Sequence, residues 1–331
     1  MSAGMDFQTV RKPEGDGEAD AAIALSVIIT CFNTRELLSD CLQSIYRNPP
    51  GEPYEIIVVD DASTDGTSEM VRARFPGVRL LRNEINRHYA FSNNRAIDQA
   101  RGQYLLLLNS DTIVLPQALD RMLAFLRIRP EAGVVGCRLL NEDGTIQWSV
   151  KSLPNPGSAL FGARSFITRM FPDNRYSRKH LLHLGRDMTT PFAAEDGYVS
   201  SAALMAPRKA VDAVGYLDTR LAYHVDADYC KRMADAGYQS WYLPAAAMIH
   251  LNHKGGTTAS PRARFRSLLM FEVQSYIYDR KHVQRSMWSP MRMLVPLGLF
   301  AHFLISAAAQ ACAEFAAVMR SQSQPKKPSA P

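Results

Sequence analysis

Asp111 follows four consecutive leucines, Leu105 to Leu108, and closes the tripeptide Asn109-Ser110-Asp111. An ionised carboxylate at the end of such an apolar run is costly unless a cation or hydrogen-bond donors meet it. Mg2+ or Mn2+, bound by one or two carboxylates and completed by diphosphate oxygens, would satisfy it. An Asp that caps the helix beginning near Pro116 is the plainer alternative. A second apolar run also ends in acid, Ile56-Ile57-Val58-Val59-Asp60-Asp61-Ala62-Ser63. One of Asp60 and Asp61 is expected to face a ligand, where a carboxylate accepts the imide N–H of uracil or thymine. Thr30 and Phe32 would flank that base, although Phe32 reads equally well as core. Asp60 and Asp61 with Ser63 and Asp65 could also bind a cation, although Asp65-Gly66-Thr67 is ordinary turn chemistry as well.

The third acidic cluster is Tyr223-His224-Val225-Asp226-Ala227-Asp228-Tyr229-Cys230-Lys231-Arg232. Carboxylates at i and i+2 of a helix start point differently, so one can face a cleft while the other caps the helix or pairs with Arg232. Asp226 is read as a general base for a hydroxyl nucleophile; the alternative is that both are caps and surface charges. His250 ends the apolar run Ala247-Met248-Ile249. A lone His is ordinarily structural, yet a neutral imidazole there could complete a metal shell with Asp111.

These groups need a frame. Leu25 to Cys31 and Tyr54 to Asp60 are short continuous apolar runs, Val78 to Leu81 is a third, and Tyr104 to Leu108 is apolar throughout, as strands covered on both faces are. Between them lie helical patterns: one capped by Asn33-Thr34 with Leu37, Leu38, Cys41, Leu42 and Ile45 in phase, one after Asp65-Gly66-Thr67, and one holding Asn93 to Ala100 before Gly102. Pro116 opens another. The alternation predicts an α/β fold with a doubly wound, Rossmann-like, mostly parallel sheet, whose carboxyl edge is where such sheets bind ligands. Later, Val199 to Ala206 reads as a strand before a Pro207-opened helix, Trp148 to about Thr190 as irregular, and Tyr238 to Leu243 and Ala247 to Leu251 as short strands.

The 331 residues, 47% hydrophobic, suffice for one large domain and an appendage. From Gly255 onward ten Lys or Arg face three Asp or Glu, a net +7, which leaves the preceding 254 residues at −1 of the total +6. A near-neutral main body argues against nucleic acid, and a basic tail beside an apolar run favours an anionic membrane surface. Five scattered cysteines without C-x-x-C spacing fit a reducing compartment. Met1 to Ala22, polar and without an apolar stretch, reads as a flexible tail with no signal peptide. The expected division is a tail over 1–22, a main domain over 23–256 and a basic, amphipathic helical extension over 257–331. Within that extension Met293 to about Ala313 is long enough to span a bilayer. Pro296, positive flanks, and His302, Ser306, Gln310 and Glu314 along one face suit a helix lying in the interface better, and burial on a partner subunit is a third option.

Taken together, Ser26-Val27-Ile28-Ile29-Thr30-Cys31-Phe32-Asn33, Val58 to Thr67, Asn109-Ser110-Asp111 and the Asp226 cluster resemble glycosyltransferase family 2 over roughly Leu25 to His282. The resemblance implies the GT-A fold and an inverting enzyme with a nucleotide-diphospho-sugar donor. It implies a donor site drawn from Thr30, Phe32, Asn33, Asp60, Asp61, Ser63, Asn93, Asn94, Asn109 and Ser110. Asp111 and His250 would hold a divalent cation, Mg2+ or Mn2+, and Asp226 would be the base. Trp148, Ser201, Asp228 and Arg232 fall on the acceptor side. Thr145-Ile146-Gln147-Trp148-Ser149 looks most like the bacterial rhamnosyltransferase branch that builds cell-surface polysaccharide on lipid carriers, with dTDP-rhamnose or a UDP-sugar as donor. Val225 departs from the Glu usual before the base, and His88 from the Gly usual in Asn86-Arg87-His88-Tyr89. The expected enzyme is cytoplasmic and peripheral on the inner face of the membrane. Its rivals are a non-catalytic nucleotide-sugar or glycan-binding protein and a nucleotidyltransferase, which would release pyrophosphate.

Overall fold

β1 (Leu25–Cys31) alternates its side chains between two cores: Val27 and Ile29 join one apolar cluster and Ile28 the other, all without exposed surface. β4 (Tyr104–Asn109) does the same, with Leu106 and Leu108 on the first face and Leu105 and Leu107 on the second. That two-sided burial explains why these strands read as unbroken apolar runs. A computed structural model describes residues 22–154, 170–171, 187–251, 261–283, 285–286 and 288–323. The expected N-terminal tail up to residue 21 and most of the irregular stretch after Trp148 lie outside the described residues.

β1 pairs in parallel with β2 (Tyr54–Asp60) on one side and β4 on the other, and β2 pairs in parallel with β3 (Arg79–Arg82). The sheet continues from β4 through β10 (Ala203–Pro207), β6 (Ala132–Leu140) and β11 (Gln239–His250) to β5 (Thr112–Val114), with β8 (Phe192–Ala193) beside β11. Only β10, β5 and β8 run against the other six strands, so the sheet is mixed but mostly parallel, as expected. Helices α1 (Arg35–Arg47), α2 (Thr67–Arg74) and α4 (Ala118–Arg127) cover the first face; α3 (His88–Gln99), α5 (Arg208–Val214) and α6 (Val225–Asp235) cover the second.

The antiparallel β10 matters most for the site. Its Ala203 pairs with Leu108, so the chain just before β10 lies beside the residues just after β4. The Asn109 N–H donates to the Ala202 carbonyl at 3.0 Å. β7 (Val150–Ser152) and β9 (Gly197–Val199) form a separate antiparallel pair above this point. Val199 packs so closely on β6 that a Cβ at Gly136 would lie 2.6 Å from its Cβ, so only glycine fits there.

The differences from the sequence reading have local causes. The run Val199 to Ala206 is split by a turn at Ser201-Ala202. The two late strands are one, β11, with a register shift between Leu243 and Ala247. Gln117 takes a left-handed φ of 63° and delays the helix from Pro116 to Ala118. Thr34 does not cap α1, because its hydroxyl faces Ser110 Oγ at 3.1 Å instead.

α7 (Pro261–His282) and α8 (Met291–Ser323) follow. The boundary expected at 256 falls just before α7, yet α7 packs into the domain. Gln274 Oε1 accepts the N–H groups of Ala222 and Tyr223, both at 2.7 Å, and Lys281 reaches Asp218 and Asp228 at 2.8 and 2.6 Å. α8 packs on α7 through the His302–Glu272 contact at 2.7 Å and an edge-on pair of Phe265 and Phe303. Its other side exposes Leu294, Leu297, Phe300, Leu304 and Ile305. Met291–Cys312 is long and apolar enough to cross a membrane.

Candidate active site

The carboxyl ends of β1, β2 and β4 open into a cleft of about 220 Å3 lined by Thr30, Phe32, Asp61, His88, Tyr89 and Ser110. Phe32 is 46% exposed, so it is a cleft wall and not core. Asp61 Oδ1 accepts from Asn83 Nδ2 at 2.7 Å and the Arg87 N–H at 2.9 Å, and Oδ2 accepts from the His88 N–H at 2.8 Å. This arrangement aims the Asp61 carboxylate and holds His88 at φ 66°, a conformation unfavourable for any side chain with a Cβ.

Asp60 is a correction to the donor set. It is wholly buried, accepts from the Ser63 N–H at 2.8 Å and from the Ser68 hydroxyl, and braces the loop from within. The next residue, Asp61, turns the other way and lines the cleft, though it too is only 4% exposed. Asn33 and Ser63 clasp each other's loops: the Asn33 N–H donates to Ser63 Oγ at 2.9 Å, and Asn33 Oδ1 accepts from the Thr64 N–H at 2.8 Å. Asn93 is buried and donates to the Tyr89 carbonyl and to Thr30 Oγ1, at 2.9 and 3.4 Å, so it stands behind the cleft wall. Asn94 is a second correction. Its amide both donates to the Leu217 carbonyl and accepts the Leu217 N–H, at 2.8 and 2.9 Å, and tethers α3 to the segment before α6.

At the end of β4, Asp111 Oδ1 lies 3.3 Å from His250 Nε2, and both side chains are mostly buried. Asn109 Nδ2 lies 3.3 Å from the same ring nitrogen. Two ligands at right angles on an octahedral cation with bonds of about 2.1 Å stand about 3 Å apart, so this pair fits Mg2+ or Mn2+. Among the described residues no cluster of three or more His, Cys, Asp or Glu side chains suits a metal. With two protein ligands, such a cation would need its remaining positions filled by diphosphate oxygens and water.

Asp226 occupies the first turn of α6, half-buried, with Oδ1 accepting the Ala227 N–H at 2.9 Å. Burial pushes its carboxyl above the ordinary range, while the Lys151 charge and the N–H groups of Ala227 and Ser201 pull the other way. Ser201 thus turns its N–H to Asp226, and its carbonyl accepts the Tyr89 hydroxyl at 3.1 Å. Val225, beside Asp226, is buried in the core of the second face, so an apolar side chain suits the packing there.

A second, larger cavity of about 480 Å3 opens on the far side of His250, lined among others by Ile146, Gln147, Trp148, Lys151 and Ser200. Trp148 is 51% exposed. Asp228 and Arg232, expected on this side, are corrections. Asp228 has no exposed surface and is ringed by Arg232 Nε, Lys281 Nζ and His282 Nε2 at 2.9, 2.6 and 2.7 Å. Arg232 also donates to the carbonyls of Val214 and Tyr216 and stacks on Tyr229. The pairing of Asp228 with Arg232 that the helical spacing allowed is present, as an internal brace.

The two cavities come close to each other at Asp111, and the residues around it form a seam. Ser110 lines one, His250 lines the other, and Asp111 sits between them, with Ser200 to Ala202 alongside. Sequence reasoning gave Lys151 no mention, and it quoted Tyr89 and Gln147 only within longer segments, without a role of their own. Lys151 carries no local pattern, and Tyr89 and Gln147 act on residues 112 and 103 positions away.

The family model for glycosyl transferase family 2 matches residues 26–192. The chain is similar to N-acetylglucosaminyl-diphospho-decaprenol L-rhamnosyltransferase of Mycobacterium tuberculosis, 26% identical over 76% of this chain and 84% of that one. It is also similar to poly(ribitol-phosphate) beta-glucosyltransferase of Bacillus spizizenii, 33% identical over 30% of this chain and 17% of the relative. Among solved structures, the mannosyltransferase PcManGT of Pyrobaculum calidifontis, in complex with GDP-Man and Mn2+, aligns with a TM-score of 0.53 at 18% identity, covering 92% of this chain and 84% of that one.

Proposed function

The chain belongs to glycosyltransferase family 2, and on that footing we propose that it transfers a sugar, with inversion and with a divalent cation, from a nucleoside-diphospho donor to a hydroxyl of a lipid-linked saccharide or cell-surface polysaccharide. The carrying observation is the seam: Asp111 and His250 stand 3.3 Å apart between a cleft ending in Asp61 and a cavity flanked by Trp148 and Lys151. Asp61 would accept an imide N–H of the base beside Phe32, which supports dTDP-rhamnose or a UDP-sugar. Asp226 takes the acceptor's proton as the hydroxyl oxygen bonds to the anomeric carbon and the bond from that carbon to the diphosphate breaks. Bound at Asp111 and His250, Mg2+ or Mn2+ would supply positive charge to the departing diphosphate.

Similarity to an enzyme named for a diphospho-decaprenol acceptor supports a lipid carrier as acceptor. The exposed apolar side of α8 and the basic C-terminal region support attachment to the inner face of the cell membrane, either in the interface or across it. The test is a donor screen with Mn2+ or Mg2+ and polyprenyl-linked acceptors, following release of nucleoside diphosphate. Asp111→Ala and Asp226→Asn should each lower turnover more than about tenfold. Loss of neither, or release of pyrophosphate, overturns the reading.

A further inference from the structure

His250 is gripped at two points by one side chain. Gln147 Nε2 donates to the His250 carbonyl at 2.5 Å, and Gln147 Oε1 faces His250 Nδ1 at 3.0 Å. The first bond fixes which end of the amide is nitrogen, so the end facing the ring is oxygen. Nδ1 then carries a proton, and in the neutral ring the Nε2 lone pair is bare and turned toward Asp111. The Asn109 amide, whose nitrogen lies 3.3 Å from Nε2, agrees with the same tautomer.

We propose that Gln147 is a positioning residue that locks His250 in the Nδ1–H tautomer and so presents Nε2, with Asp111, to a divalent cation. The proposal rests on the metal assignment given above and adds the residue that makes the histidine competent for it. A hydrogen bond behind a ligating imidazole sets its tautomer, orientation and basicity, and losing it weakens metal binding about 10- to 100-fold. Gln147 also lines the larger cavity next to Trp148, so the side chain that orients the metal ligand belongs to the wall an acceptor would touch.

The experiment uses the full chain without substrate. Mn2+ binding is measured by calorimetry and electron paramagnetic resonance, and the His250 tautomer by 15N shifts in the metal-free protein. Gln147→Leu, close in size but unable to accept, should weaken Mn2+ at least about tenfold and let the ring proton redistribute onto Nε2. Gln147→Glu gives up the donor to the His250 carbonyl but keeps an acceptor for Nδ1–H, so it should keep the tautomer and bind Mn2+ more tightly than Gln147→Leu does. A wild-type proton on Nε2, or Mn2+ affinity in Gln147→Leu within about twofold of wild type while Asp111→Ala and His250→Ala weaken binding, overturns the inference alone. If the Asp111 and His250 variants also bind Mn2+ unchanged, the metal assignment fails with it.

Discussion

The Tyr89 hydroxyl donates to the Ser201 carbonyl at 3.1 Å and thereby couples the wall of the smaller cleft to the peptide that supports Asp226. Tyr89→Phe removes one hydrogen bond and nothing of the ring. Its stability cost should be about 1 kcal/mol, whereas kcat should fall about tenfold, because a peptide no longer held lets the base drift from its aim. Steady-state kinetics beside urea unfolding separates the two effects.

Burial raises the Asp226 carboxyl and the Lys151 charge opposes that rise. A general base works only when ionised, so activity should climb with pH through a value above the ordinary carboxylate range. Lys151→Met removes the opposing charge and should carry that acidic limb to still higher pH. A pH profile of kcat/KM for both proteins checks the direction, and a limb that stays or moves down contradicts it.

Asp228 is buried, which by itself would raise its pKa, but His282, Lys281 and Arg232 outweigh burial and leave it lowered. A carboxylate lowered in the folded state adds stability that is fully present above its unfolded pKa and is lost as pH falls through the folded value. Asp228→Asn leaves Arg232, Lys281 and His282 facing a neutral amide and should cost about 3 kcal/mol at pH 7. Unfolding titrations should show the gap between wild type and variant narrowing well below pH 4.

His88 sits at φ 66° with its N–H committed to Asp61. Strain of this kind costs about 1 kcal/mol for a residue with a Cβ and essentially nothing for glycine. His88→Gly should therefore be more stable than His88→Ala by about 1 kcal/mol. Equal melting temperatures for the two variants would show that the backbone there carries no strain.

The parallel half of the sheet was legible because β1, β2 and β4 are covered on both faces and so announce themselves as apolar runs. β6 was not, because Gly133, Gly136 and Arg138 interrupt the pattern for reasons that lie elsewhere in the chain. Gly136 makes room for Val199, and Arg138 reaches the Pro244 carbonyl at 2.5 Å. The acidic positions were legible as a set, since each ends an apolar run or opens a helix. Which carboxylate faces inward was harder. Asp60 and Asp228 both turn out to be braces, and only the three-dimensional surroundings, such as Lys281 and His282 arriving from α7, decide that for Asp228. Asn94 looked like its neighbour Asn93, and its partner Leu217 lies 123 positions away. His88 stood out in the sequence as a side chain where glycine is usual, and its positive φ gives that departure a physical meaning.

The docking of α7 bears on how the chain can be shortened. A version ended at residue 256 to shed the apolar α8 would also lose Gln274, Lys281 and His282, and with them the partners of Ala222, Tyr223 and Asp228 that flank Asp226. A form without α8 that keeps Asp226 in place has to retain α7 and be cut in the short connection before Met291, where the long apolar helix begins.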